Sequence, residues 1–509
     1  MLPEIPRLED YDISPLTGFL PETVPLARLP SYFDAWENLV ENLPALILTK
    51  RLRTLVDKIP VLSTDNLTTE PEWRRACVIL GFLSHGYVWA SSDEPSEHLP
   101  KQLAEPWLKV SDHFELPPIN TYAGVCLWNF KTVLPAEPQE WGLDNLATLN
   151  TFTGCIDESW FYLVSTAIER QGAPCLVAGL EAIRACRDYD SDKVVRNLQF
   201  LAESIDAINT SLGRMYEMCD PHTFYYRIRP FLAGWKNMKD AGLPHGVRYG
   251  DETEYRAYSG GSNAQSSLIQ ALDILLNVEH HPTGEHQHRP PPTVLLSKVT
   301  EAGISTPKKN NFIEEMRRYM PGPHRRFLES LTQVAEIRDY VVANSEKTPA
   351  LTLSYDACLA MLRTFRDKHI QIVSRYIILQ AQAKNNAGPR PIADTRRHGL
   401  AAASKASRGT GGTALLPFLK QARDETGDSA AGTWGKRLLT ENRNLLSKLT
   451  AKRNITFSSE SEPEENSTST SSASKSSKRL KTAPDTSELR GLATSWQVGA
   501  DDNSGVTHW

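Results

Sequence analysis

The chain has 509 residues with 56 basic and 61 acidic side chains, so its formal net charge is only −5. A chain of this length can form two or three domains with a large buried core. Nearly balanced charge gives no electrostatic reason to expect nucleic acid or a membrane surface as a partner. No apolar run approaches the ~20 residues that a transmembrane helix needs.

Seven cysteines are scattered along the chain, and none belongs to a Cys-x-x-Cys pair. The odd number and the irregular spacing argue against a disulfide scaffold and against a structural zinc site. The N-terminal segment has neither a secretory signal nor an Arg-rich transit peptide. We therefore expect a cytoplasmic protein in a reducing compartment.

Apolar residues recur at helical spacing through most of the first 140 residues. Residues 32–55 are expected to be helical, with Pro44 dividing them into two helices. Further helices are predicted at residues 72–89 and 107–113, with a connector at residues 99–106. These segments predict a small helical domain over residues 1–140.

The rest of the chain also favours helices, and the fold class predicted is all-α. No strand pattern of useful length precedes residue 240, although short strands are possible at 247–257. We expect a large helical domain over residues 141–430, with a mobile loop at about 384–413. An extra helix is predicted at 431–452, and the Ser/Thr/Glu-rich tail 453–509 is predicted to be disordered because it cannot form a core. A long helix is predicted to begin at Ser159, and an apolar helix to carry Leu268, Ile269, Leu272 and Leu275. Further predicted helices span about 173–187, 190–216, 221–235, 327–344, 354–380 and 414–426.

His369 lies within an apolar helical stripe, four residues after Phe365 and three before Ile372. By itself, such a residue is more often a hydrogen-bonded core histidine than a ligand. The alternative is a single axial ligand to a haem iron, since a neutral imidazole on a buried face suits that role. Arg366 lies one turn earlier, where a long cation could reach a haem propionate.

Three loops leave alternatives open. The Gly/Ser-rich residues 259–267 precede an apolar helix, and they suit either an anion site or an ordinary capped helix. The four histidines within residues 280–288 invite a metal interpretation, but the prolines and glycine there spoil any fixed ligand spacing. Residues 409–413 (Gly-Thr-Gly-Gly-Thr) could be a lid or a plain linker, and composition favours the linker.

Several short motifs, in a specific order over residues 15–425, resemble the indoleamine 2,3-dioxygenase family, and a fungal member in particular. The motifs are Pro117-Pro118 followed by Tyr122-Ala123, Phe161 with Ser165, Phe224 and Arg229 before Gly234-Trp235, residues 260–267, residues 316–328, the His369 helix and residues 409–413. The resemblance implies an all-helical fold in which a small domain caps a large domain that holds haem b.

Carried over position by position, the resemblance makes His369 the proximal iron ligand. It implies that Arg366 and Ser262 hold the haem propionates, and that Asp273 lies behind the haem near His369. Phe224 and Arg229 would contact tryptophan, with Arg229 pairing with its carboxylate. The remaining implied contacts are Tyr122, Val125, Phe161 and Ser165 at the indole, and Gly261 and Thr410 at the amino-acid end.

The implied reaction inserts both atoms of O2 across the indole C2–C3 bond of L-tryptophan and gives N-formylkynurenine. This is the first step of the kynurenine route of tryptophan breakdown and NAD biosynthesis. The resemblance also implies an electron donor that keeps the iron ferrous, and we expect a monomer. The implied pocket contains no obvious side-chain base, which suits direct attack by oxygen on the indole.

Two other functions remain open from the sequence. The fold could serve as a haem-binding oxygen or redox sensor or carrier, or the chain could be a colourless helical scaffold whose tail recruits partners. A carboxylate clamp at Arg229 favours the enzyme, because a carrier has no need of one. Asn263 is larger and more polar than the small residue common in the family at that position.

Overall fold

The computed structural model describes residues 2–90, 94–282, 312–386 and 415–439, together with two strands, Glu488–Arg490 and Ser495–Gln497. Residues 1–449 form one compact unit and residues 450–509 a second. Within the second unit the two strands pair antiparallel, in a tail that the sequence predicts to be disordered. The predicted boundary near residue 140 and the disorder of the rest of the tail stay predictions.

Helices dominate the first unit, and the predicted all-α class is confirmed. Its α-helices are Asp34–Glu41, Leu43–Leu48, Leu52–Val56, Glu70–Trp89, Lys101–His113, Ile156–Gln171, Ala173–Arg187, Ser191–Gly213, Met215–Met218, Pro221–Thr223, Arg229–Leu232, Ser267–Leu275, Phe312–Met316, Gly322–Val334, Ile337–Asn344, Pro349–Val373, Leu379–Asn386 and Leu415–Asp428. Three single turns are π-helical: Ala123–Leu127, Phe224–Ile228 and Ser374–Ile378. Residues 433–439 begin the predicted extra helix, and residues 440–452 lie outside the described residues.

Two pairs of very short strands join distant parts of the first unit. His98–Leu99 pairs parallel with Arg248–Tyr249, and Phe130–Thr132 pairs antiparallel with Leu146–Thr148. The possible strand near residue 248 is confirmed. The other three strands were not predicted, because two or three residues are too few to show an alternating pattern.

The predicted connector at residues 99–106 is wrong, because a helix already begins at Lys101 and continues through Pro106. Proline in a helix loses one backbone hydrogen bond and usually ends the helix. Here Leu103, Trp107 and Val110 are completely buried, and their packing against the core outweighs that loss. Each such side chain contributes roughly 1.5–3 kcal/mol when it is fully buried.

The predicted division of residues 32–55 into two helices is also wrong, because there are three. Pro44 lies in the first turn of the second helix, where its missing N–H costs nothing. The second break follows at Lys50, whose φ of 57° is incompatible with a continuing right-handed helix. Lysine gives no sequence signal for such a turn.

The longest helix, Pro349–Val373, is central to the packing and is named the histidine helix because it carries His369. It packs against Ser191–Gly213 along one side and against Leu415–Asp428, named the cap helix, along another. Leu198, Ile205 and Leu359 are among the completely buried residues of these helices. No helix among the described residues is long and apolar enough to cross a membrane.

Candidate functional site

A cavity of about 220 Å³ lies between the C-terminal half of the histidine helix, the cap helix and the segments around residues 122, 161, 224 and 262. It brings together eleven of the twelve predicted site residues from widely separated positions. These are Tyr122, Val125, Phe161, Ser165, Phe224, Arg229, Gly261, Ser262, Asp273, Arg366 and His369. Thr410 lies outside the described residues. The individual roles of all twelve stay predictions.

The histidine helix turns its predicted stripe toward this cavity, with Phe365, His369, Ile372 and Val373 on the wall. Burial, helped by the positive charge of Arg366, lowers the pKa of the His369 imidazole to about 4. Neither ring nitrogen of His369 hydrogen-bonds to any residue that the structure describes. A neutral imidazole with an uncommitted lone pair is what an iron ligand requires.

Arg366 is engaged inside the protein. Its Nη2 donates to both carboxylate oxygens of Asp273, at 2.6 and 2.7 Å, and its Nη1 donates to Thr426 Oγ1 at 2.5 Å. Asp273 therefore neutralises the guanidinium, and these contacts lend no support to the predicted propionate role. That role stays a prediction.

Aromatic rings form the apolar part of the wall. The ring centroids of Phe161 and Phe224 lie 4.6 Å apart, and those of Phe224 and Tyr376 lie 5.8 Å apart in an edge-to-face arrangement. Ser165 Oγ donates weakly to the backbone oxygen of Phe161 at 3.5 Å, within its own helix. Such a surface is suited to a flat aromatic ligand.

Arg229 supplies a positive charge at the cavity and is only 2% exposed. Its guanidinium lies 5.1 Å from the centroid of the Tyr225 ring, in a cation–π arrangement. Burial lowers the pKa of the guanidinium to about 10, and Tyr225 partly offsets that effect. Arg229 therefore remains charged at neutral pH and suits a ligand carboxylate.

Each of the three π-helical turns contributes to the cavity wall, through Val125, Phe224 and Tyr376 respectively. π-turns often occur at functional sites because they displace side chains from the regular helical positions. The second π-turn precedes Pro230, whose ring would clash with a carbonyl one turn back in a regular helix. The predicted helices over residues 221–235 and 354–380 are confirmed apart from residues 233–235, and each contains one π-turn that its sequence did not reveal.

The Gly/Ser-rich segment is fixed by hydrogen bonds. The Gln265 side chain accepts from Tyr122 N at 2.9 Å and donates to Gly260 O at 2.9 Å. A Cβ on Gly260 would lie 2.1 Å from Leu232 O, so only glycine fits there. Ser266 Oγ accepts from Ile269 N at 3.3 Å and caps the following helix. The capped-helix interpretation is confirmed, and the anion-site interpretation stays a prediction.

Among the described residues, no group of histidine, cysteine and acidic side chains is placed to hold a metal ion. Only His280 and His281 of the histidine-rich loop are described, since residues 283–288 lie outside the described ranges. His280 lies instead between two carboxylates.

Glu169 lies outside the cavity, behind the wall residues Tyr122 and Ser266, and was not among the site residues predicted from the sequence. This glutamate is 1% exposed, and its Oε1 accepts from Tyr122 Oη at 3.0 Å and from Ser266 Oγ at 2.6 Å. Burial raises the pKa of its carboxyl to about 7, although both hydroxyls oppose that rise. The apolar neighbours Ala167 and Ile168 were the available signal that this glutamate faces the core.

Glu169→Gln is expected to flatten the pH dependence of stability. The folded protein holds the Glu169 proton up to about pH 7, whereas the unfolded chain loses it near 4.5. Stability should therefore fall as the pH rises through that interval, by roughly 3 kcal/mol. Urea unfolding at pH 5, 6, 7 and 8 measures this effect. The exposed Glu203→Gln is the control, and parallel pH curves for wild type and Glu169→Gln would contradict the prediction.

Comparisons with known proteins point to one family. The sequence profile described as "Indoleamine 2,3-dioxygenase" matches residues 7–429. An indoleamine 2,3-dioxygenase of Saccharomyces cerevisiae is 44% identical over 440 residues, which cover 83% of this chain and 93% of the relative. A 6-hydroxytryptophan 2,3-dioxygenase of Fusarium equiseti is 36% identical over 83% of this chain and 98% of the relative. Indoleamine 2,3-dioxygenase 2 of Homo sapiens is 34% identical over 83% of this chain and 95% of the relative.

Proposed function

The chain belongs to the indoleamine 2,3-dioxygenase family, and from that premise we propose that it is a haem-dependent dioxygenase of L-tryptophan. One observation carries the proposal. An apolar cavity combines a neutral, uncommitted imidazole at His369 with a buried, charged guanidinium at Arg229. A cofactor-dependent enzyme for a free amino acid needs both groups, whereas a scaffold needs neither.

The cavity residues fit haem b. His369 would ligate the iron, and the apolar side chains around it suit the porphyrin faces. Ser262 would meet a propionate. When bound, ferrous haem supplies the oxygen chemistry, and the protein supplies orientation and a water-poor pocket.

The remaining side chains would bind and orient the substrate. Arg229 would hold the carboxylate, and Phe161 and Phe224 would flank the indole together with Tyr122, Val125 and Ser165. Gly261 and Thr410 would meet the amino-acid end. Phe418 and Leu419 of the cap helix add apolar surface that excludes water from the cavity. Holding the substrate in one orientation beside the cofactor converts a bimolecular reaction into an effectively unimolecular one.

The cavity offers little for acid–base chemistry. Asp273 is the carboxylate among its described lining residues, and Arg366 neutralises it. A paired carboxylate is a weak base. This composition supports a reaction in which both atoms of O2 add across the indole C2–C3 bond without a protein base, giving N-formylkynurenine. The product is the first intermediate of the kynurenine route to NAD.

A second candidate substrate is a ring-substituted tryptophan. Asn263 lines the cavity and is exposed to it, and the Fusarium equiseti relative is named for 6-hydroxytryptophan. An amide near the substrate could bond a ring hydroxyl. Arg229 would bind the part that both substrates share, so it does not distinguish them. L-Tryptophan remains the first proposal because the Saccharomyces cerevisiae relative, named indoleamine 2,3-dioxygenase, is 44% identical and the Fusarium equiseti relative 36%.

We also propose that the protein is a monomer in the cytoplasm and that an external electron donor keeps its haem iron ferrous. All seven cysteines are free, and six of them are buried. Burial raises the pKa of the Cys77, Cys175 and Cys186 thiols to about 12, which suppresses their reactivity. Such cysteines are typical of a reducing compartment.

The proposed function predicts that the protein binds haem, is therefore coloured, and forms N-formylkynurenine. The full chain, expressed with added haem, should show a Soret band and a ferrous–CO band. The reduced protein should consume one O2 per N-formylkynurenine formed from L-tryptophan, and 6-hydroxytryptophan tests the second candidate. A haem protein without turnover of either substrate would leave the sensor or carrier function, and a colourless protein would leave the scaffold.

A further inference from the structure

A buried ionic cluster lies beside the cavity, between the segment that follows Ser267–Leu275 and the cap helix. At its centre His280 Nε2 lies 3.0 Å from Asp273 Oδ2, and His280 Nδ1 lies 2.7 Å from Glu425 Oε2. The three side chains are only 6–7% exposed. Arg366 completes the cluster, because its Nη2 donates to both carboxylate oxygens of Asp273.

The geometry favours a charged imidazolium at His280. Each ring nitrogen faces a carboxylate oxygen, and only the doubly protonated ring can donate to both. A neutral ring would direct a lone pair at one of the two carboxylates. With His280 charged, two cations and two anions balance, which removes the cost of burying an unpaired charge.

The cluster fixes the cap helix to the body of the protein. Glu425 Oε1 accepts from His281 N at 3.1 Å, and Gln421 Nε2 donates to His281 O at 3.0 Å. Phe418, Leu419 and Ala422 of the same helix line the cavity. The hydrogen bonds of Glu425 and Gln421 therefore fix the position of the apolar side chains that the same helix contributes to the cavity.

The cluster also reaches the wall that carries the candidate iron ligand. Arg366 donates to Thr426 on the cap helix and to Asp273, and it lies one turn before His369 on the histidine helix. A displaced cap helix would thus disturb both the apolar wall and the contacts of Arg366.

We propose that His280 and Glu425 are positioning residues that hold the cap helix against the cavity within a limited range of pH. The structural part of this proposal concerns the chain alone. Its consequence for substrate rests on the proposed function, because the cap helix forms part of the substrate cavity.

The pH range follows from the groups around His280, which in the part of the chain that the structure describes include Asp273, Glu425, Arg366 and the neighbouring His281. Burial opposes the charge of His280, but Asp273 and Glu425 outweigh it and raise the imidazole pKa above its usual 6.5. Arg366 Nη2, at 3.4 Å from Nε2, opposes that rise. The contribution to stability is therefore fully present below pH 6.5 and is lost as the pH rises through the raised value.

The limit at acidic pH arises from the two carboxylates, whose contribution to stability changes with pH in the opposite direction. Burial opposes the charge of Asp273, but Arg366 and His280 hold its pKa below the usual value. Burial likewise opposes the charge of Glu425, whose pKa His280 and Gln421 lower. The stability that these carboxylates contribute is present above their usual pKa values and is lost as the pH falls through the lowered ones. The cap helix should be held most firmly between these limits.

Hydrogen exchange of the cap helix tests the proposal without needing haem. In the full-length wild type, protection of residues 415–428, corrected for intrinsic exchange, should fall as the pH rises through the His280 transition. His280→Gln should exchange about 10- to 100-fold faster near pH 6.5, the factor expected for losing one charge-assisted hydrogen bond, and should show no such step. Residues 191–213 serve as the internal reference.

Two further variants sharpen the test. Glu425→Gln keeps the shape but removes one anion, so the alkaline loss of protection should move to lower pH. His113→Gln is the matched control, because His113 forms a surface pair with Glu70 at 2.9 Å and its side chain is 34% exposed. It should leave the cap helix unchanged.

The proposal is overturned if His280→Gln exchanges like wild type, or if residues 191–213 lose protection equally, since His280 would then support the whole fold. In the haem-loaded enzyme, the wild-type pH profile of kcat/KM should follow the exchange profile, and Glu425→Gln should shift both. If hydrogen exchange of the cap helix follows the predicted pH dependence but the wild type binds no haem, the proposed function is contradicted and the cap-helix proposal stands.

Discussion

His369→Ala is expected to lose stable haem binding. The imidazole offers a neutral nitrogen with a free lone pair on the cavity wall, and its pKa of about 4 keeps it unprotonated at any working pH. Loss of a group that merely supports a metal ligand typically costs 10- to 100-fold in affinity, so loss of the ligand itself should cost more than about 100-fold. The measurement is haem titration at the Soret band, with the ferrous–CO spectrum of the reduced protein.

The fold should survive this substitution, because His369 makes no hydrogen bond to a described residue. Circular dichroism and the melting temperature of the haem-free protein test that point. His245→Ala, at an exposed position, is the control for a general histidine effect. Added imidazole should restore part of the spectrum, since it can occupy the space left by the side chain. Full haem occupancy with an unchanged ferrous–CO band in His369→Ala would contradict the assignment.

Periodicity predicted the features that depend on neighbours along one helix. The stripe around His369 is such a feature, because residues three and four apart share one face. It correctly predicted that His369 faces a buried space. Whether that space is a packed core or a cavity depends on what the facing segments leave unfilled, so the pattern alone left both interpretations open.

Contacts between distant segments were beyond the same reasoning. Arg366 and Asp273 are 93 residues apart, and His280 and Glu425 are 145 apart. The residues next to an arginine in the sequence do not show whether its guanidinium pairs with a carboxylate of the protein or with a bound ligand. Glu169 was missed for a related reason, since its hydroxyl partners come from two other segments.

The second large effect is expected at Arg229, which we propose binds the substrate carboxylate. Arg229→Ala should reduce kcat/KM for L-tryptophan by roughly 30- to 5,000-fold, which corresponds to the 2–5 kcal/mol lost when one partner of a buried charge pair is truncated. The guanidinium is 2% exposed and remains charged at neutral pH. The planar guanidinium can donate two parallel hydrogen bonds to one carboxylate, a geometry that an ammonium group does not match. Arg229→Lys should therefore recover only part of the activity.

The structural alternative is that Arg229 mainly supports the fold through Tyr225, over whose ring it lies. Tryptamine distinguishes the two roles, because it keeps the indole and lacks the carboxylate. Wild type should prefer L-tryptophan strongly, whereas Arg229→Ala should treat the two substrates nearly alike and keep its haem content. Arg227→Ala, on the π-turn that immediately precedes Arg229 but exposed, is the matched control. Equal losses for both substrates, or loss of haem, would make Arg229 a structural residue, since a carboxylate contact cannot affect a substrate that has no carboxylate.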